Sequence, residues 1–266
     1  MNVRKYFEGK KITVMGLGLL GRGLGDAKFL AEQGADLIVT DLRSEDVLKK
    51  SVDELKHFPN VKFVLGEHRL EDFRDRDMIL KLASVPLESV YIDEARNNNI
   101  AVEMSDSLLA KISRAKVVGV TGTRGKSTVT HLIYEILKEA GSKCLLGGNV
   151  RGLSTLALFD EIDEDTVLVM ELSSWQLQGF GDSKISPYIS VFTNFLDDHL
   201  NYYKGDRQNY FLDKVNILKY QNEKGFLIMS KQALLSLYIL TPLTSFKNSN
   251  LPETGLKFST DFLINF

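Results

Sequence analysis

Cysteine is almost absent: Cys144 is the single thiol in a chain of 266 residues. One cysteine excludes an internal disulfide framework and a metal site built from several thiolates. A reducing, cytoplasmic setting is therefore expected. An excess of charge of one sign is also missing. Lys plus Arg number 33 against 35 Asp plus Glu, a formal charge of -2, which gives no support to a nucleic-acid binder that works by bulk charge. Long hydrophobic runs are lacking too. The opening MNVRKYFEGKKITVMG is broken by charges and holds no secretory apolar core. No stretch reaches the roughly 18–20 apolar residues that span a bilayer; residues 226–243 come nearest but are interrupted by Lys231 and Gln232 and closed by Pro242. No internal repeat or low-complexity segment stands out. A protein that works in water, without nucleic acid or membrane and as a monomer, is expected.

What is there is a globular balance, 44% apolar and 26% charged, in a length suited to one large domain or two ordinary ones. Strand-like runs at 11–15 (KITVM), 35–40 (ADLIVT), 61–65 (VKFVL) and 78–82 alternate with helical spacing at 23–33, 89–97 and 105–113. A second series follows: a buried strand at 116–120 (KVVGV), a long amphipathic helix at 126–140, and strands at 167–170 and 189–192. Strands alternating with helices predict an α/β fold with parallel, doubly wound sheets. A Rossmann-like domain is expected over residues 1–113 and a second α/β domain, built around a phosphate loop, over 114–231. From Gln232 to Phe266 the strand–helix rhythm fades. Lys247, Glu253, Lys257 and Asp261 are the only charges there, and the chain stops on the apolar LINF, so a shortened or altered end is expected.

Two glycine turns carry the chemistry. Gly16-Leu17-Gly18-Leu19-Leu20-Gly21 fits G-x-G-x-x-G between a strand and a helix, and Asp41 closes the second strand twenty residues after Gly21. Such glycines let the backbone approach a diphosphate seated on the helix N-terminus, while the acid can accept from a ribose or base. The pattern alone favours a dinucleotide; a tight turn without ligand is the plainer alternative. The second turn, VVGVTGTRGKST, places Gly125-Lys126-Ser127 directly between strand and helix. Backbone N–H groups of such a loop surround phosphates, the lysine bridges terminal phosphates and the serine hydroxyl binds Mg²⁺. The usual first glycine of G-x-x-x-x-G-K-[ST] falls on Val120, and Gly122 gives a shorter spacing.

Glu171 ends an apolar strand (VLVME), where phosphate-loop enzymes keep a Mg²⁺ ligand. Asn194, Asp198 and His199 follow another strand and can orient Mg²⁺, water or phosphate, or simply form a turn with a helix cap. His57, His68 and His131 have no partners at meaningful spacing, and Cys144 reads as a buried strand residue.

Together the segments VMGLGLLGRG, SVPLESVYIDEARNNNIAVEMSDSLL, VVGVTGTRGKSTVT, LLGGNV, VLVMELSSWQL and TNFLDDHLNYY resemble the Mur ligase family of cell-wall synthesis. SVPLES and the first glycine turn point to its D-glutamate-adding branch. The resemblance implies that ATP phosphorylates the carboxylate of UDP-N-acetylmuramoyl-L-alanine and that the amine of D-glutamate attacks the acyl phosphate. It implies that Gly122, Thr123, Arg124, Gly125, Lys126, Ser127 and Thr128 hold ATP, with Ser127, Glu171 and His199 at Mg²⁺. It implies a carbamylated Lys214, contacts from Asn149, Ser173 and Gln176 to the muramoyl substrate, and uridine diphosphate held by Gly18, Leu19, Leu20 and Asp41 in place of a dinucleotide. Arg151 and Ser84 stand where the family usually has glycine. The family's third domain, which binds the incoming amino acid, has no counterpart in this sequence, so weak substrate binding without ligation is the expectation for the chain alone. Three rivals remain: an NAD-dependent oxidoreductase, which leaves TGTRGKST unexplained, another ligase of the superfamily, and a non-catalytic nucleotide-binding remnant.

Overall fold

The computed structural model describes residues 3–86, 88–113, 115–150 and 154–241; Arg151 and the tail beyond 241 lie outside them. After a short helix α1 (Val3–Phe7), the first unit runs β1 (Lys11–Met15), α2 (Arg22–Glu32), β2 (Asp36–Asp41), α3 (Glu45–Leu55), β3 (Val61–Leu65), β4 (Met78–Lys81), α4 (Val90–Asn97), β5 (Ala101–Glu103) and α5 (Ser105–Ile112). The second runs β6 (Lys116–Thr121), α6 (Lys126–Glu139), β7 (Cys144–Gly148), β8 (Val167–Glu171), α7 (Ser174–Asp182), β9 (Ile189–Phe192), α8 (Arg207–Lys219), β10 (Phe226–Met229) and α9 (Lys231–Leu240). The fold is α/β with two parallel five-stranded sheets, ordered β3-β2-β1-β4-β5 and β10-β9-β6-β8-β7.

The apolar runs explain the layering. Both faces of β1 are covered, with Ile12, Val14 and Met15 buried, as parallel strands under helices require. Val14 sits between Val39 of β2 and Leu80 of β4, so strand order reverses on either side of β1. The second sheet repeats this logic, with Val120 of β6 between Glu171 of β8 and Val191 of β9. Ligand crevices form at such switch points, outside the carboxyl ends of the strands. Both glycine turns lie there.

One continuous core joins the two units, running from Phe29 and Leu108 to Leu156, Leu177 and Phe180. Polar ties reinforce the seam: Gln176 donates to Asp106 at 2.7 Å and Ser183 to Glu103 at 2.8 Å. The strand–helix rhythm does not stop near residue 231. Ser230 caps α9 by accepting from the Ala233 N–H, and Gln232 accepts from the Phe195 N–H at 2.7 Å. The period is hard to read because Leu235, Tyr238 and Ile239 lie exposed on α9 while Ala233 and Ser236 are its buried residues. Among the described residues no helix is long and apolar enough to cross a membrane.

Candidate functional site

The first glycine turn leaves the end of β1 and enters α2 at Gly21. Leu19 and Leu20 stand exposed at its tip. Asp41 does not reach outward as expected from the sequence. It is buried and its carboxylate turns back onto the loop, accepting from the N–H groups of Leu17 (2.9 Å), Gly18 (3.2 Å) and Arg43 (2.9 Å). Burial alone would raise its pKa, but these donors and the Arg43 guanidinium outweigh it and hold the carboxyl below the usual carboxylate range. A carboxylate so engaged shapes the turn. Gly18 lies in that turn, and its N–H is one of the three that Asp41 takes.

The second turn joins β6 to α6 between β8 and β9. Gly122 has φ +144, and a Cβ there would collide with Thr193 Oγ1, so only glycine fits. Gly125 begins α6 in the left-handed region, with φ +80. Thr193 and Asn194, just past β9, clamp the loop. Thr193 Oγ1 donates to the Arg124 carbonyl at 2.7 Å, Asn194 Oδ1 accepts from the Arg124 N–H at 2.9 Å, and the Thr123 N–H donates to the Asn194 carbonyl at 2.9 Å. Thr123 Oγ1 donates to Leu196 O at 3.1 Å. Lys126 folds over the loop, its Nζ donating to the carbonyls of Gly122 (3.1 Å) and Thr123 (3.2 Å). Ser127 and Thr128 lie exposed in the first turn of α6, where unpaired N–H groups favour an anion. Arg124 reaches solvent 3.5 Å from Asp198.

Three groups converge below and beside this loop. Glu171, buried at the end of β8, accepts from Asn149 Nδ2 at 3.0 Å, and its carbonyl accepts from the Asn149 N–H at 2.7 Å. Gly148 permits that approach, since a Cβ there would run into the Glu171 carbonyl. Lys214, on α8, is buried and donates to the Gly122 carbonyl at 2.9 Å. Burial, helped by the nearby charge of Lys126, draws its pKa down to about 7, against the pull of Asp198 and Asp213. His199 is exposed, with its ring 5.2 Å from that of Trp175. Trp175, Asp198, His199 and Tyr202 line a cleft of about 540 Å³.

No cluster of three or more His, Cys, Asp or Glu side chains forms a metal cage among the described residues. Mg²⁺ is usually held by one or two carboxylates together with phosphates and waters. Glu171 and Ser127 supply hard oxygen donors of that kind, so the residues present fit the ion.

Ser173 and Gln176 stand at the start of α7. They form a capping box at the start of α7: Ser173 Oγ accepts from the Gln176 N–H, and Gln176 Oε1 accepts from the Ser173 N–H at 2.9 Å. Gln176 is fully buried and its Nε2 donates to Asp106 at 2.7 Å, which ties α7 to α5. Cys144 opens β7, half-buried. His68 is bonded to Thr40 at 2.7 Å and meets Phe73 and Tyr91 edge to face. Thr193, Tyr210, whose hydroxyl lies 3.3 Å from Thr123 Oγ1, and Arg22, which donates to Asn149, have no signal in the sequence that ties them to the site; their contacts cross long stretches of chain.

Residues 10–103 match the family description "Mur ligase MurD-like, N-terminal domain", and residues 120–245 match "Mur ligase middle domain", a match that runs through α9. The UDP-N-acetylmuramoylalanine–D-glutamate ligase of Borreliella burgdorferi is 40% identical over 221 residues, 83% of this chain and 47% of that protein. The corresponding ligase of Roseiflexus is 41% identical over 213 residues, 80% of this chain and 45% of that protein. The chain thus spans about half the length of the curated relatives it matches. A solved ligase for UDP-N-acetylmuramate and L-alanyl-gamma-D-glutamyl-meso-diaminopimelate from Neisseria meningitides superposes with a TM-score of 0.57 at 16% identity, covering 87% of this chain and 75% of that one. At that identity the likeness is one of fold. With both units matched, the chain belongs to the Mur ligase family and carries its MurD-like N-terminal and middle domains.

Proposed function

We propose that the chain forms the sugar-nucleotide-binding and ATP-binding parts of an ATP-dependent ligase of peptidoglycan precursor synthesis, one that adds D-glutamate to UDP-N-acetylmuramoyl-L-alanine. The observation that carries this reading is the convergence of Lys126, Glu171 and Lys214 on one phosphate loop at the switch point of the second sheet. Residues 1–113 are read as the UDP-sugar unit and 114–231 as the ATP unit, and the middle domain of the family binds ATP.

In this reading Leu19 and Leu20 present an apolar surface to the uracil, and the Gly18 turn, held by Asp41, faces the diphosphate. Gly122 to Thr128 cradle the ATP phosphates, with Lys126 leaving its loop carbonyls for phosphate oxygens. Glu171 and Ser127 hold Mg²⁺, with His199 at the neighbouring cleft. When bound, ATP and Mg²⁺ supply the phosphoryl group and the charge neutralisation that turn the muramoyl-alanine carboxylate into an acyl phosphate. Lys214, as a carbamate, adds an anion beneath the loop. Asn149 orients Glu171 and faces the muramoyl end, while Ser173 and Gln176 fix α7 behind it.

The oxidoreductase reading has no use for the phosphate loop and needs an outward-facing Asp41. The ligase reading is tested by incubating the chain with UDP-N-acetylmuramoyl-L-alanine, ATP and Mg²⁺ and then reducing with borohydride, which converts an acyl phosphate to an alcohol. The expected product is the alaninol derivative, detected by mass spectrometry. Its absence, with both ligands bound in a calorimeter, would leave a binding module without phosphoryl transfer.

A further inference from the structure

Arg22 is the first residue after the first glycine turn, yet its side chain is spent on the other unit. Its Nη2 donates to Asn149 Oδ1 at 3.1 Å and to the Val150 carbonyl at 3.0 Å, and its Nε approaches the same carbonyl at 3.3 Å. Asn149 passes the contact on, since its Nδ2 donates to Glu171 Oε1 at 3.0 Å. One turn further along α2, Asp26 accepts from Ser154 Oγ and from Ser105 Oγ, each at 2.6 Å. Between them, a Cβ on Gly25 would come within 2.5 Å of the Ser154 Cβ, so α2 lies hard against the segment that follows β7. One face of α2 therefore grips Asn149 and Val150 at one point and Ser154 at another.

We propose that Arg22 is a positioning residue that couples occupancy of the glycine turn to the Mg²⁺–nucleotide site, acting through Asn149 on Glu171. The identities of the two ligands rest on the ligase reading above. Arg22 directly follows Gly21, the last residue of the turn, and its Nη1 makes no hydrogen bond among the described residues. An anion there engages Nη1 and fixes the fork in place, because a planar guanidinium can hold acceptors on several N–H groups at once. Fixing the fork fixes Asn149, and with it the carboxylate that takes the metal. The coupling is therefore positive and, by linkage, mutual.

The test is calorimetry with the non-hydrolysable imido analogue of ATP, titrated with and without saturating UDP-N-acetylmuramoyl-L-alanine. The unaltered chain should bind the Mg²⁺ complex about fivefold or more tightly when the sugar nucleotide is present. In EDTA that ratio should fall to about one, since Glu171 then has no ion to hold. Arg22→Ala and Arg22→Lys should both bring the Mg²⁺ ratio to about one while melting cooperatively; the lysine variant keeps charge and bulk should the alanine variant not fold. A merely structural arginine would lower the melting temperature and leave the ratio alone. An unchanged ratio in the variants, no coupling in the unaltered chain, or coupling that survives EDTA overturns the inference while leaving the ligase reading intact. An unaltered chain that binds neither ligand overturns both.

Discussion

Lys214 Nζ donates to the Gly122 carbonyl across 2.9 Å, placing a buried amine directly under the phosphate loop. A buried ammonium this close to Lys126 gives up its proton easily, hence the value near 7.

A neutral amine can attack dissolved CO₂. The nitrogen lone pair forms a bond to carbon as one C–O π bond opens onto oxygen, one proton passes from nitrogen to solvent, and the neutral amine becomes a carbamate anion. In ¹³C-bicarbonate the chain should show a carbamate carbon resonance that Lys214→Ala abolishes. At fixed dissolved CO₂ its intensity should grow as pH rises from 6 to 8, because the reactive neutral form gains above about 7. A resonance unaffected by the substitution would remove Lys214 from this role.

Glu171 is buried and oriented by Asn149. Glu171→Gln keeps the size and removes the charge a hard cation prefers. Nucleotide affinity measured with Mg²⁺ should drop by about tenfold, equivalent to roughly 1.4 kcal/mol, while affinity in EDTA stays put. Equal losses under both conditions would make Glu171 a structural strand end.

Asp26 offers a test of the seam between the units. Burial raises its pKa to about 6, and the hydroxyls of Ser105 and Ser154 offset only part of that. An acid with a raised folded pKa binds more protons folded than unfolded between about 4 and 6, so its contribution to stability falls as pH rises through that window. The loss is on the order of 3 kcal/mol once the group is charged. Urea unfolding of Asp26→Asn should therefore show the variant gaining on the unaltered chain from pH 4 to 6.5. A constant difference would mean that Asp26 titrates normally.

The strands with dense β-branched runs were legible to the residue: β1, β3 and β9 fall where KITVM, VKFVL and ISVF place them. Helix α3 was legible in principle, with Leu48, Val52 and Leu55 buried at helical spacing. Helix α7 was not, because Gly179 and Gly181 argue against a helix. They are there for close packing: a Cβ would lie 2.7 Å from Ser107 Oγ at the first and 2.6 Å from Asn216 Nδ2 at the second. Within the candidate site, the strand–turn–helix pattern put Lys126 at the start of α6 and Glu171 at the end of β8, where the structure has them, since such a pattern is local. The direction of the Asp41 carboxylate, the burial of Gln176 and the reach of Arg22 to Asn149 depend on packing between distant segments, which spacing does not encode.

The most direct measurement of the central claim is a titration of Mg²⁺–ATP into the chain carrying Lys126→Ala. Its side chain is only partly buried and bonds to loop carbonyls rather than to the core, so circular dichroism should be unchanged. Loss of the lysine removes charge-assisted contacts to phosphate, and binding seen in the unaltered chain should fall by about a hundredfold or more, roughly 2.7 kcal/mol. Equal ATP affinity in the two proteins would contradict the assignment of residues 122–128 as the phosphate site.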